Sequence, residues 1–227
     1  MLFKNKVLAT SIAFAIMAVP FMSNAASETG KITVKGSVIP GSCSLELADS
    51  GDVDYGTLTR SELGAQTSDN MYDLEMREVG YNIECENPLQ VSLSFKADAN
   101  PAKQYTIDKG NSVANEISLG LTENDDTDKG VAVIGIPVAG ATVDSAAVSK
   151  ILYSADGTSW DAETDAYYPK QDDSEQISWS TDGTVPALVS SVAGKFTVRT
   201  SLNADAVSQY TDAMPFEGVS NITLHYL

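Results

Sequence analysis

His225 is the only histidine in a chain of 227 residues, which also holds two cysteines and sets 31 Asp and Glu against 14 Lys and Arg. Nucleophilic catalysis through a Ser-His-Asp relay therefore has one candidate base, and a histidine-rich zinc site has too few ligands. His225 falls on the opposite strand face from Ile222, Leu224 and Tyr226, two residues before Leu227, which suits a surface or partly buried role better than a base. Pairs of carboxylates at glycosidase spacing are unavoidable among so many acids and carry no weight. There is no nucleophile elbow and no phosphate loop. The sequence is read as that of a non-enzyme with no cofactor.

Asn124, Asp126 and Asp128 alternate as hard oxygen ligands for calcium would. Lys129 stands where an EF-hand loop needs glycine, however, and Gly135 stands where it needs its bidentate glutamate. The acidic clusters at 123–128, 161–165 and 172–175 are read as solvated loops in the least regular part of the chain, 100–175. Trp160, Tyr167, Tyr168 and Trp179 could stack on sugar rings, against the plainer reading of core packing. The segment Ser154-Ala155-Asp156-Gly157-Thr158-Ser159-Trp160 is similar to the Asp-box turn of some sugar-binding repeats. It is one residue short and occurs once, so a hairpin turn is expected. A net charge of −17 argues against nucleic acid and anionic membranes, both of which need a basic face.

Lys4, Lys6 and the apolar run Val7 to Val19, followed by Ser23-Asn24-Ala25, have the form of a signal peptide with cleavage after Ala25. The alternative, a membrane anchor, needs a run of about 20 residues. Residues 1–25 are thus expected to be removed and the protein exported, with no membrane span in the mature form. In an oxidising compartment Cys43 and Cys85, 42 positions apart, favour a disulfide over metal or redox use, because no CxxC and no neighbouring histidine accompany them. Closing such a loop stabilises by about 4 kcal/mol in the chain-entropy model.

The rest must be positioned by strands. Ile32, Val34, Gly36 and Val38 alternate with polar residues, and period two recurs at Tyr81-Ile83-Cys85, Val91-Leu93-Phe95, Ile117-Leu119-Leu121, Val131-Val133, Ile177-Trp179, Phe196-Val198 and Ile222-Leu224-Tyr226. Asn87-Pro88 is expected to break the run that ends at Cys85, and Gly, Asn and Asp mark turns at 50–52, 156–157 and 182–183. Only 141–152 and 202–210 have any helical spacing. Many short strands with one disulfide predict a single all-β domain, an immunoglobulin-like sandwich.

The two ends carry the functional reading. Ile222, Leu224 and Tyr226 give the last strand an apolar face, and an apolar edge must be covered or used. Near the other end, Gly30, Ile32 and Val34 fall on one face of an extended arm that could fill a neighbour's groove by strand addition.

Signal peptide, arm, Val34-Lys35-Gly36-Ser37-Val38, Cys43, Asp54-Tyr55-Gly56, Cys85 and Tyr226 follow one another in the order found in pilin subunits of the chaperone–usher pathway, which this chain resembles. It is more closely similar to an uncharacterised fimbrial-like branch, in which Val34 to Cys43 and a Val53-Asp54-Tyr55-Gly56 turn recur. The resemblance covers both ends and the disulfide-linked first third. It implies an incomplete immunoglobulin-like sandwich (36–227) that lacks its final strand and is completed by donor-strand exchange. A periplasmic chaperone would lend a strand along Ile222, Leu224 and Tyr226 and hold the Leu227 carboxylate. An outer-membrane usher would then let the arm of the next subunit, 26–35, replace it through Gly30, Ile32 and Val34. The family often has glycine about fourteen residues from the end, where this chain has Met214 and, nearest to it, Gly218. The function implied is a structural subunit of a cell-surface fimbria, a homopolymer contributing to adhesion. The alternative is a tip adhesin or a secreted carbohydrate-binding β-sandwich.

Overall fold

Strands form wherever apolar residues alternate with small or polar ones, because that spacing lets one face enter a core while the other meets solvent or a second layer. The structure, a computed structural model, describes residue 35 and residues 41–99, 105–107, 111–113, 115–123 and 126–227. Its strands are β1 (Cys43–Leu47), β2 (Met71–Asp73), β3 (Arg77–Leu89), β4 (Val91–Ala97), β5 (Tyr105–Ile107), β6 (Asn111–Val113), β7 (Ser118–Glu123) and β8 (Asp126–Pro137). They continue with β9 (Thr142–Val143), β10 (Ala146–Ala147), β11 (Lys150–Ser154), β12 (Asp161–Glu163), β13 (Ala166–Tyr167), β14 (Gln176–Ser180), β15 (Val189–Asn203) and β16 (Ser220–Tyr226). One short helix, α1 (Ala204–Gln209), starts where the Asn203 side chain accepts the Asp205 N–H at 3.1 Å.

Nearly all of this is β structure in two antiparallel sheets, the arrangement of a β-sandwich rather than a barrel. The first sheet runs β1-β3-β15-β8-β13, with β7 also on β8 and β2 and β9 on β15; the second runs β12-β11-β14-β4-β16. Both sheets supply the core. Tyr81 and Phe196 from the first stack at 4.5 Å; Trp179 and Phe95 from the second lie 5.8 Å from Tyr81 and 5.7 Å from Phe196. The Trp179 indole N–H donates to the Tyr81 hydroxyl at 2.9 Å, so the one polar atom on each ring is satisfied inside the core. Burial pushes the Tyr81 phenol well above its ordinary value. A second cluster, with Leu63, Leu119, Leu121, Leu202 and Val207 buried and Met214 and Phe216 packed on it, adjoins α1. Residues from Pro40 to Leu227 make one compact unit.

Three expectations need correction. The 141–152 stretch is β9, β10 and the start of β11, not helical turns. Asp144 and Ser145 adopt left-handed φ of 48° and 69° in a tight hairpin, and the Asp144 carboxylate accepts the Ser190 and Ser191 N–H groups. Asn87-Pro88 does not end its strand. Between the pairs Leu89↔Val189 and Glu84↔Ser191 the register shifts, so the proline sits in a bulge where no ladder donor is needed. Much of the 100–175 region is regular: it holds β7, β8 and β13 of the first sheet and β11 and β12 of the second. The turn pattern Ser-x-Asp-Gly-Thr also occurs twice, at 154–158 and 180–184. In both, Asp accepts the N–H two residues on (2.8 and 2.9 Å), and the Ser hydroxyl accepts the glycine N–H (2.9 and 2.8 Å).

Candidate functional site

β1 and β16 each lie at the end of their sheet's strand order, and among the described residues no strand pairs with the free side of either. β1 is held on its other side by β3 in register, Cys43 opposite Cys85 and Leu47 opposite Tyr81, and the Cys43–Cys85 disulfide joins the two strands. β16 is held on its other side by β4, from Ser220↔Ala97 to Tyr226↔Val91. The two edges meet at one end, where the Cys43 N–H donates to the Tyr226 hydroxyl at 2.9 Å.

Away from that clamp the edges part around a cleft of about 400 Å³. Leu47 and Val53 line it from the β1 side, Phe216, Gly218, Val219 and Ile222 from the β16 side, and Val79, Leu119, Leu121, Ile134 and Phe196 from the core between them. Most of the side chains that line it are apolar, but Ser50, Thr200 and Ser220 share its surface, with Asp52 and Glu217 exposed at its rim. Ile222 and Leu224 face the core but stay half-buried, as strand residues do when one neighbour is missing. Tyr226 and Leu227 are 52% and 44% exposed.

Three local features shape this space. Gly218 lets the lead-in to β16 lie against β7: a Cβ there would stand 2.5 Å from Leu119 Cδ1 and 2.8 Å from Leu121 Cδ2. Glu217 joins the lead-in to β7 through paired backbone bonds with Thr122 of 2.8 and 3.1 Å. The Asp54-Tyr55-Gly56 turn closes when the Asp54 carboxylate accepts the Gly56 N–H at 2.7 Å, and this turns Tyr55 toward the cleft. The Tyr55 hydroxyl then donates to Thr200 at 3.1 Å, and its ring lies 6.4 Å from Phe216 and 5.5 Å from the Arg77 guanidinium. Burial raises its phenol above the ordinary value, with the Thr200 bond and Arg77 pulling the other way.

The sequence-derived residues distribute as follows. Cys43, Ile222, Leu224, Tyr226 and Leu227 all lie along the two open edges, with Cys85 one strand away. Gly30, Ile32 and Val34 lie outside the described residues, as do the leader and Asn124. Gly218 lines the cleft, whereas Met214 packs on the second core cluster. Sequence reasoning missed Leu47, Leu119, Leu121 and Phe216. Alternation marked only Leu119 and Leu121, and nothing in a sequence says which leucine borders an opening.

The remaining chemical candidates are otherwise engaged. The Ser94 hydroxyl donates to Asp173 and stands 2.7 Å from His225 Nε2. A carboxylate only accepts and the hydroxyl has one proton to give, so His225 is the donor to Ser94. A nucleophilic relay has the imidazole in the middle; here the serine is, and it is buried. Trp179 is spent in the core, and Tyr167 stacks on Tyr153 at 4.4 Å.

A family profile described as a protein of unknown function (DUF1120) matches residues 32–149, more than half of the chain. The chain belongs to this family. Its match opens at Ile32, spans both cysteines and strands β1, β3 and β4, and stops just before β11, so the β1 wall of the cleft falls within the family's matched segment and β16 does not. No curated protein and no solved structure matches the chain.

Proposed function

We propose that the chain is a structural subunit of a chaperone–usher fimbria. Its immunoglobulin-like sandwich lacks one strand, and the N-terminal arm of a second copy supplies it. The observation that carries this reading is the pair of edges, β1 and β16, whose free sides have no partner strand among the described residues and which flank a cleft of about 400 Å³ walled largely by apolar side chains. A strand laid between them would give the free side of β16 a hydrogen-bonding partner and cover Ile222 and Leu224.

The arm has the matching pattern. Gly30, Ile32 and Val34 share a face, and the alternation continues through Gly36 and Val38 up to the compact unit, which begins at Pro40. Lys31 and Lys35 fall on the opposite face, while the cleft's rim carries Asp52 and Glu217, so the charges complement each other. Burying Ile32, Val34 and Val38 contributes roughly 1.5–3 kcal/mol each, and each net main-chain hydrogen bond about 1 kcal/mol. Because the arm leaves one subunit and enters another, the contact is head-to-tail. Such contacts build filaments when they do not close.

In this reading the signal peptide directs the chain to the periplasm, where a chaperone covers the β16 edge until an outer-membrane usher passes the subunit to the cell surface. The test is Ile32→Asp with Val34→Asp. The subunit should still be recovered with its chaperone, but electron microscopy should show no polymer. Fibres of ordinary length from this variant would mean that another segment is the donor.

A further inference from the structure

The strand-addition reading leaves two exposed apolar side chains, Val185 and Leu188, unused, beside the pole where the two open edges are clamped together. Six large apolar side chains are exposed among the described residues, and four of them, Val185, Leu188, Tyr226 and Leu227, belong to this pole. Val185 and Leu188 are the most exposed of all, at 53% and 64%. They sit on the loop between β14 and β15, and Gln90 ties that loop to the end of β16: its side-chain amide donates to the Pro186 carbonyl at 2.7 Å, and its own carbonyl accepts the Leu227 N–H at 3.0 Å. Between this loop and the β9–β10 hairpin lies a hollow of about 460 Å³, lined by Val143, Val185 and Leu188 together with Gln90, Asp144 and Asp182.

The chain enters β1 at this same pole. β1 begins at Cys43, whose N–H is held by Tyr226, and the preceding Ser42 carbonyl accepts the Glu86 N–H at 2.9 Å. If the donor strand extends to Val38, only residues 39–42 separate it from Cys43. The five steps from Val38 to Cys43 span at most about 18 Å when fully extended. A subunit that receives the arm is therefore drawn to within that distance of the pole.

We propose that the loop carrying Val185 and Leu188 is a second contact between successive subunits, packing against the copy that has taken up the arm and stiffening the junction. This rests on the donor-strand reading, and the occupant is a second copy of this chain because the short tether brings that molecule, and no other, to this surface.

The test uses the full chain, exported with its assembly partners, in three forms: wild type, Val185→Asp with Leu188→Asp, and Val185→Ser with Leu188→Ser. Both altered loops should leave the arm's insertion intact, so polymers should form in all three. Polymers of the aspartate variant should dissociate in denaturant about tenfold faster or more, because each junction then lacks two buried apolar side chains, and they should look less straight under the microscope. The serine variant, which adds no charge to a site already exposed, should shift the same way by a smaller factor. Dissociation rates and straightness equal to wild type in both variants overturn the second contact while leaving strand exchange standing. Loss of chaperone binding by the variants, with junctions unchanged, also overturns it, because the surface would then serve the chaperone. Absence of polymer from the wild type defeats the donor-strand reading itself, and this inference with it.

Discussion

Gly218 occupies a position where one added carbon would press on both leucine side chains that floor the cleft, Leu119 and Leu121. Gly218→Val is therefore expected to crowd the opening without touching the main core, at a folding cost of about 1–3 kcal/mol typical of overpacking. Polymer formation, followed by light scattering from chaperone-bound subunit, should slow at least about tenfold; an unchanged rate would remove this end of the cleft from the path of the donor. Asp182 supplies a separate residue-scale test. Hydrogen bonds from the Thr184 backbone and from the Ser180 and Thr184 hydroxyls hold its carboxyl at about 2, below an ordinary value of 3.8. A depressed carboxylate contributes stability that is present above its unfolded value and lost as pH falls through its folded one. Wild-type stability should thus decline between pH 3.8 and about 2 more steeply than that of Asp182→Asn, measured as denaturant midpoints across that window. Asp156, held low by the same kind of turn, acts in the same direction.

At the scale of elements, β1 pairs with β3 alone among the described strands, and the disulfide fixes that pair at directly opposed residues. Breaking the disulfide, by reduction or by Cys43→Ser with Cys85→Ser, should cost about 2–4 kcal/mol and release one wall of the cleft. Denaturant midpoints with and without reductant measure this, and a midpoint that does not move would show that β1 needs no covalent tie. The disulfide and the strands at 81–85, 91–95, 119–121 and 222–226 were legible in the sequence because each depends on a local period or on the only two cysteines present. The hairpin at 142–147 was not. Its Asp144-Ser145 turn is stabilised by amides of Ser190 and Ser191, far away in the chain, and the helical spacing across 141–152 was a coincidence of which residues the core needed. The cleft was half legible: an apolar last strand announces an edge, but the β1 wall and the Leu119-Leu121 floor exist only once the two sheets are stacked.

For the whole molecule, the two sheets share one aromatic core, yet among the described residues both strands bordering the cleft are edges. If a partner strand completes the fold, the isolated domain should be short of stability by roughly the contribution of three buried apolar side chains, several kcal/mol, which is a large part of what a domain usually has. The most direct measurement is the unfolding of a domain starting at Gly41 with and without a synthetic peptide of residues 26–40. The donor-strand account expects a weak, broad transition alone and a sharp one at much higher denaturant with the peptide. It also expects no such gain from a peptide carrying Asp at positions 32 and 34. A sharp, peptide-independent transition of the domain alone would contradict it.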